Sequence, residues 1–230
     1  MFFKTFIAAG LNWFPLYNSI KLAVITTVIL FFIGILIAYP LAHSRKKFKA
    51  VFETMINIPL VIPPTVLGFY FIMIFGTNTG IGKFLKSFFG IELVFTFSGM
   101  IVISVLFSLP FMVNALKNGF EGLPGSLREA SYTLGKSRLQ TLIYVLLPNM
   151  KPSILTGVVL TFAHTLGAFG VILMVGGNIP GRTRVASVEI YNYLDTMNYS
   201  AAHTFAIIMF VVSFTILLSV NIFNKKVLNG

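Results

Sequence analysis

The sequence of 230 residues is poor in charge and contains no cysteine. The absence of cysteine excludes disulfide bonds, thiolate metal sites and cysteine nucleophiles from this chain. Only 10% of the residues are charged, against about a quarter in an average soluble domain. So few charges cannot cover the surface of a water-soluble fold of this size, and the 57% apolar content excludes disorder. The composition therefore indicates a membrane protein.

Long uncharged runs divide the chain into membrane-spanning candidates. Five such runs are each at least 21 residues long: 22–42, 54–82, 93–116, 152–181 and 196–224. A helix needs roughly 20 apolar residues to cross a hydrocarbon core of about 30 Å. After the Gly, Asn and Pro clusters that end the longer runs are set aside, we expect transmembrane helices at about 18–42, 54–75, 96–117, 151–174 and 202–224. The predicted fold is all-α and polytopic, with an interfacial segment at 1–17, a membrane-spanning domain at 18–224 and a tail at 225–230.

The basic residues are distributed unevenly over the connections between these spans. Eleven of the 17 Lys and Arg residues lie in one set of connections and six in the other. Since cytoplasmic loops are enriched in Lys and Arg, the N-terminus is predicted outside and the C-terminus in the cytoplasm. The net charge of +11 is interpreted as a topological signal and not as nucleic-acid binding, because the charges form no basic arm or basic amphipathic helix.

The connection between the third and fourth predicted spans, 118–150, is the longest. Ser126 followed by Glu129 matches a Ser-x-x-Glu capping box, and Gly135 is placed to end the helix that would follow. Leu127, Ala130, Ser131 and Leu134 fall on one face of that helix. A second helix is predicted over 139–147, ending at Pro148. The pattern leaves two interpretations open: a solvated loop that contains a helix, or a helix that docks onto a cytoplasmic partner.

The same connection resembles a known family signature. Glu129-Ala130-Ser131, Gly135, Val145 and Leu147-Pro148 follow the spacing of the EAA motif of type I ABC importer permeases, with Ser131 and Val145 as departures from the usual Ala and Ile. The resemblance implies a coupling helix that contacts a separate ATPase. The residues that it assigns to this contact are Leu127, Glu129, Ala130, Ser131, Gly135 and Pro148.

Several further segments are similar to molybdate permeases in particular, with sulfate and tungstate permeases as close relatives. These segments are 58–68, 80–90, 108–115, 163–170 and 177–184. Many relatives carry an acidic residue at the position of Ala168. Because Ala168 departs from this pattern, the resemblance does not assign a gate residue at this position. The resemblance implies a bacterial or archaeal cytoplasmic membrane protein that pairs with a second copy of itself. Its other implied partners are two ATP-binding-cassette subunits and a periplasmic or lipid-anchored oxyanion-binding protein.

Prolines and hydroxyl groups within the spans indicate where a translocation path could lie. Pro63 and Pro64 should bend or break span two, either as a static bend or as part of the path, and Pro110 should bend span three. In span four, Thr161, His164 and Thr165 share a helical face, and His164 fits either a helix-contact residue or an anion contact. In the outer loops, Arg182 and Arg184 fit either solvated charges or a cationic rim for an oxyanion or an acidic protein face.

The sequence contains no motif for nucleotide binding, catalysis or metal binding. The Gly-rich fragment at 80–83 lacks the Ser or Thr and the preceding Gly of a phosphate-binding loop. No catalytic set and no metal-ligand spacing is found. We therefore expect no catalytic residue, no metal site and no cofactor in this chain, with ATP and Mg on a partner ATPase. The rival classes are an ATP-independent anion transporter, which would need ionisable residues in the spans, and an intramembrane enzyme.

Overall fold

A computed structural model describes residues 12–44 and 49–228, without the side chains of residues 220, 221 and 223–228. Residues 1–11 of the predicted interfacial segment, the basic residues 45–47 and the last two residues of the predicted tail lie outside this description. The described residues contain eleven helices and no strands. In chain order these are α1 Phe14–His43, α2 Lys49–Val61, α3 Pro64–Phe75, α4 Gly80–Phe89, α5 Phe97–Glu121, α6 Gly125–Thr133, α7 Arg138–Asn149, α8 Lys151–Leu166, α9 Gly170–Gly176, α10 Ala186–Asp195 and α11 Tyr199–Leu228.

Three helices, α1, α5 and the 199–219 part of α11, are long and apolar enough to cross a membrane alone. Two bent pairs, α2 with α3 and α7 with α8, pass the same test when each pair is counted as one span. The described residues therefore hold up to five spans. The all-α polytopic fold predicted from the sequence is confirmed.

The second predicted span is broken, as its prolines indicate. The chain bends by 107° between α2 and α3. The Ile62 N–H still donates to the Ile58 carbonyl at 3.1 Å, but Pro63 and Pro64 have no N–H with which to continue the helix. The predicted start at residue 54 is wrong, because α2 already begins at Lys49. The bend expected at Pro110 does not interrupt α5, which continues from Phe97 to Glu121.

The fourth predicted span, 151–174, is wrong in its extent. α8 ends at Leu166 with Gly167 as its C-cap, and α9 begins as a separate helix at Gly170. The helix predicted over 139–147 is longer, since α7 runs over Arg138–Asn149 and contains a π-helical turn at Leu142–Leu146. Pro148 lies just after this turn and does not end the helix. The chain instead bends by 80° between α7 and α8.

Helices α1, α5 and α8 pack against one another and form the centre of the bundle. α5 and α8 come very close at Gly119, where a Cβ atom would lie 2.6 Å from the Cβ of Ser153 and 2.7 Å from the Cε of Met150. Two apolar clusters fill the bundle, one around Met100, Val171 and Val175 and the other around Met112, Leu116 and Leu146. The first cluster lies toward the end of the bundle that carries α4 and α10, here called the α4 end. The second lies toward the opposite end, the α6 end.

Two helices at the α4 end are absent from the sequence-based prediction. The segment 80–90, expected as a loop, forms α4 with Thr79 as its N-cap and Gly90 in the left-handed conformation at its C-cap. α10, Ala186–Asp195, packs against α11. Its polar sequence gives no apolar run of spanning length, which is why a search for spans does not find it.

Candidate functional site

The short helix α6 protrudes at the α6 end and ends in a Schellman motif. Gly135 has a φ of +72°, a conformation that an L side chain rarely adopts. The Gly135 N–H donates to the Tyr132 carbonyl at 2.9 Å and the Lys136 N–H donates to the Ser131 carbonyl at 3.1 Å, which is the Schellman hydrogen-bond pattern. The predicted capping box at Ser126 is wrong, because the helix begins at Gly125 with Pro124 as its N-cap. The capping box in this region joins Ser137 and Gln140 at the start of α7.

One face of α6 is exposed and the other is fixed to α7. Glu129 and Ala130 are exposed, Leu127 is half-buried, and Ser131 is buried. The hydroxyl oxygens of Ser131 and Thr141 lie 2.9 Å apart. Because the Thr141 hydroxyl donates its hydrogen to the Ser137 carbonyl at 2.9 Å, the Ser131 hydroxyl is the donor of this bond. Ser131, one of the two departures from the motif, thus attaches α6 to the start of α7.

The attachment continues from α7 into the bundle. α6 packs against the π-helical turn of α7, and within this turn Leu146 is 3% exposed. Leu146 belongs to the apolar cluster formed with Leu116 of α5 and Leu41 of α1. Pro148, which the resemblance also assigns to the contact, is exposed on the following turn. A displacement of α6 would therefore reach the transmembrane helices through closely packed side chains.

A row of polar pairs joins α2 to α5 near the same end of the bundle. We call this row the α2–α5 polar ladder; its pairs are Lys49 with Glu121 at 2.8 Å, Glu53 with Lys117 at 2.8 Å, and Asn57 with Asn114 at 2.7 Å. Their spacing along α2 is one helical turn per pair. None of the residues of α2 is buried. Polar contacts therefore account for much of the attachment of α2, together with the packing of the half-buried Ile56 against the second apolar cluster.

The residues predicted for the translocation path occupy two different environments. Pro63 and Pro64 are exposed at the break between α2 and α3. Thr161 and Thr165 are buried, and His164 is half-buried between the rings of Phe107 and Phe111, whose centroids lie 4.4 and 4.2 Å from that of His164. In this arrangement His164 is hydrogen-bonded between α8 and α5, and its place on the translocation path stays a prediction.

The contact of His164 is one link in a directed chain of hydrogen bonds between α8 and α5. The Thr165 hydroxyl donates to the Thr161 carbonyl at 2.8 Å. The Ser108 hydroxyl therefore donates to the Thr165 oxygen at 2.9 Å, and the Nδ1–H of His164 donates to the Ser108 oxygen at 3.0 Å. This chain requires that His164 carries a hydrogen on Nδ1.

A small groove beside this contact contains amide side chains that the sequence-based search missed. The groove has a volume of about 220 Å³ and lies between α2, α5 and α8; its lining includes Leu60, Phe111, Asn114, Asn118, Thr156 and Leu160. Asn114 and Asn118 are four residues apart in a predicted span. Two amide side chains at this spacing lie on one helical face, and this pattern could have indicated a polar groove from the sequence alone.

The two arginines predicted for a rim at the α4 end differ in their surroundings. The Arg184 side chain is bound by other residues of the chain. Its Nη1 lies 3.0 Å from the Oε2 of Glu189, and its Nε donates to the Asn178 side chain at 2.8 Å. The Glu189 side chain is only 6% exposed, and the pKa of Tyr193 beside it is raised by burial and by the Glu189 carboxylate. Arg184 is thus half-buried and paired with Glu189, and its role as a solvated charge or as part of a cationic rim stays a prediction.

Arg182, in contrast, is exposed. It lines a cavity of about 500 Å³ at the α4 end, together with Asn78, Thr79, Thr96 and Glu92. The Glu92 carboxylate is 2.7 Å from the Nζ of Lys86. Among the described residues no group of three or more His, Cys, Asp or Glu side chains could hold a metal ion.

Comparison with known families gives one match over most of the chain. Residues 30–229 match the family described as the binding-protein-dependent transport system inner membrane component. The chain is 42% identical over 200 residues to the molybdenum transport system permease protein of Azotobacter vinelandii, which covers 86% of this chain and 88% of that protein. It is 32% identical over 193 residues to the sulfate transport system permease protein of Salmonella typhimurium, which covers 84% of this chain and 69% of that protein.

The fold is also that of a solved structure. A chain of the bacterial alginate ABC transporter, solved in complex with an alginate-bound periplasmic protein, is similar with a TM-score of 0.79. The likeness covers 98% of this chain and 82% of that chain, at 19% sequence identity.

Proposed function

The chain belongs to the family of binding-protein-dependent transport system inner membrane components, and we propose that it is the membrane subunit of an ATP-driven molybdate importer. The family is one of transport subunits of the inner membrane. The observation that carries the proposal is the geometry of α6, a protruding helix with an exposed Glu129-Ala130 face and an end defined by Gly135. Such a helix can seat in the groove of a partner protein.

The proposed partners follow from this arrangement. Two ATPase subunits would bind α6 of two copies of the chain, and they would hold ATP and Mg. The second copy is proposed because five spans enclose little space by themselves, and the larger of the two cavities described above measures only about 500 Å³. A periplasmic or lipid-anchored oxyanion-binding protein would deliver the substrate at the α4 end. The N-terminus would then lie outside and the C-terminus in the cytoplasm, in agreement with the distribution of basic residues.

The proposed mechanism uses the contacts that join α6 to the bundle. ATP-driven closure of the ATPase subunits would displace α6, and the Ser131–Thr141 hydrogen bond and the buried Leu146 would transmit the displacement to α1 and α5. α2 is held by the α2–α5 polar ladder and ends at the break before Pro63 and Pro64. Because α2 has no buried residue and only its half-buried Ile56 packs against a core cluster, a change in its angle would repack little of the core. Pro63, Pro64 and the groove at Asn114 and Asn118 would line the path, and Arg182 would attract the anion at its entrance.

Molybdate is preferred over sulfate as the substrate on the strength of the similarity to the Azotobacter vinelandii permease. The sequence identity to that permease is 42% over 200 residues, and the sequence identity to the sulfate permease of Salmonella typhimurium is 32% over 193 residues. Tungstate has the same charge and shape as molybdate and is expected to follow it. Discrimination among tetrahedral oxyanions would come mainly from the binding protein. Brief contacts of the anion with hydroxyl and amide groups of the path would let it pass but would distinguish poorly between similar anions.

The test is uptake into proteoliposomes that contain the chain, its ATPase subunits and its binding protein. We expect ATP-dependent accumulation of labelled molybdate, competed by tungstate and only weakly by sulfate. Gly135→Asp should abolish ATP-driven uptake while the protein still inserts into the membrane. Uptake that continues without ATP would favour an ATP-independent transporter, and preferential uptake of sulfate would move the substrate assignment to the sulfate permeases. Normal ATP-driven uptake in the Gly135→Asp variant would refute the docking role of α6.

A further inference from the structure

Helix α4 carries an apolar stripe along one side. Ile81, Phe84, Leu85, Phe88 and Phe89 follow the i, i+3, i+4, i+7, i+8 spacing of an amphipathic helix. The remaining positions after its first residue are Gly82, Lys83, Lys86 and Ser87. The helix therefore separates an aromatic side from a side with two cations.

Most of this stripe is uncovered by the rest of the described chain. Only Leu85 packs against the apolar cluster of the bundle. Phe84, Phe88 and Phe89 are 51%, 74% and 64% exposed. The Phe84 ring contacts both of its neighbours, with centroid separations of 4.7 Å to Phe88 and 6.1 Å to Phe89. The three rings form one continuous apolar surface, which is the kind of surface that a protein covers with a partner or a membrane.

The level of α4 along the bundle is determined by its attachment to α3. α3 is part of a membrane-spanning pair and ends at Phe75, four residues before the α4 N-cap. The Thr79 hydroxyl lies 2.7 Å from the Ile74 carbonyl, and it accepts a hydrogen bond from the Gly82 N–H at 3.1 Å. Gly82 is buried against the backbone of Gly76. α4 therefore lies where a spanning segment ends, at the boundary between hydrocarbon and headgroups.

We propose that α4 is an interfacial membrane helix, whose Phe84, Phe88 and Phe89 enter the lipid at the α4 end of the bundle. An amphipathic helix of this kind lies in the plane of the membrane, with its apolar face about 5–10 Å below the headgroup level. Lys83 and Lys86 would then lie beside lipid phosphates. Lys86 is also paired with Glu92, so Lys83 carries most of the attraction to anionic headgroups.

The lipid contact has a consequence for the neighbouring cavity. Thr79, the N-cap of α4, lines the 500 Å³ cavity that also contains Arg182. A helix embedded in the interface holds this wall of the cavity at a constant depth in the membrane. The α4 contact therefore positions the entrance relative to the bilayer, whichever anion enters.

The absence of cysteine in the chain allows single spin labels to test this proposal. Phe84→Cys, Phe88→Cys, Lys83→Cys and Ser87→Cys would be labelled one at a time in the assembled transporter, reconstituted in phosphatidylcholine–phosphatidylglycerol vesicles. The Cys-free parent complex gives the background from the other subunits. Power saturation then compares collisions with oxygen, which concentrates in lipid, and with a water-soluble nickel chelate.

We expect oxygen collisions to dominate at positions 84 and 88 and nickel collisions to dominate at positions 83 and 87. Low accessibility to both reagents at positions 84 and 88 would mean that a second copy or another protein covers the stripe, and would overturn the proposal. Nickel-dominated collisions at these two positions would place the stripe in water and overturn it as well. The two stripe positions are measured independently, so one misfolded variant leaves the test intact. Neither ATP nor molybdate enters the measurement, so a failure of this proposal can be told apart from a failure of the uptake assay.

Discussion

Two serines on the same helix offer a sharp test of the contact between α5 and α8. Ser108 is fully buried and connects His164 to Thr165 by hydrogen bonds of 3.0 and 2.9 Å. Ser104 lies one turn earlier, is 1% exposed, and its hydroxyl has no hydrogen-bond partner among the described residues. Replacing each serine with alanine removes the same atom from the same helix. The two changes should nevertheless have different effects on stability.

Ser108→Ala removes two hydrogen bonds and leaves the His164 N–H without an acceptor. Interhelical hydrogen bonds in membrane proteins are worth about 0.6 kcal/mol on average and up to about 1.7, so the loss should be about 1–2 kcal/mol. For a chain of this size each 1 kcal/mol lowers the melting temperature by about 2–4 °C. Ser104→Ala removes a buried hydroxyl that makes no bond, so it should be neutral or slightly stabilising.

The assay is thermal unfolding of the purified protein in one detergent, with both variants and the parent measured side by side. We expect Ser108→Ala to melt about 2–8 °C below the parent and Ser104→Ala to melt at or above it. Equal destabilisation by the two substitutions would refute the reasoning, because packing loss alone would then explain both. An unchanged melting temperature for Ser108→Ala would show that the directed chain from His164 contributes nothing.

Three further predictions concern the α6 end and the α4 end. Gly135→Ala should cost about 1–2 kcal/mol at its positive φ and reduce ATP-driven uptake severalfold, whereas Gly125→Ala, with equally open space but no positive φ, should leave uptake unchanged. A double-mutant cycle on Glu53→Ala and Lys117→Ala should give a coupling of about 1 kcal/mol in thermal unfolding, since both side chains are half-buried. Glu189→Ala leaves the Arg184 charge half-buried without its carboxylate and should lower the melting temperature by at least 4 °C, about 2 kcal/mol.

The double-mutant cycle has a matched control at the other end of the bundle. Lys86 and Glu92 form an equally short ion pair, 2.7 Å, but their side chains are 59% and 42% exposed. Their cycle should give a coupling near zero, because water and salt screen exposed charges. Couplings of the same size for both pairs would contradict the role given to burial. Additive single substitutions at Glu53 and Lys117 would show that the α2–α5 polar ladder does not hold α2.

Local sequence signals predicted part of this architecture and part of the candidate site. The break at Pro63 and Pro64 follows from missing backbone donors, and the end of α6 at Gly135 follows from a conformation that glycine adopts readily. The separation of α9 from α8 had a weaker signal, since Gly167 and Gly170 fit a helix contact as well as a helix end. The capping box at Ser126 shows the same limit, because the motif was present but the N-cap is Pro124, two residues earlier.

The amino-acid sequence is enough to establish the membrane setting, the all-α class and the position of the short helix that ends at Gly135. These depend on charge content, run length and short spacings, all of which act between residues close along the chain. The partners of the polar side chains become known from the packing of the helices. Glu53 meets Lys117, His164 meets Ser108 and Asn57 meets Asn114 across helices. Residues more than 50 positions apart become neighbours only when the helices pack. The packing geometry depends on which helix faces meet, and short-range sequence patterns do not predict this.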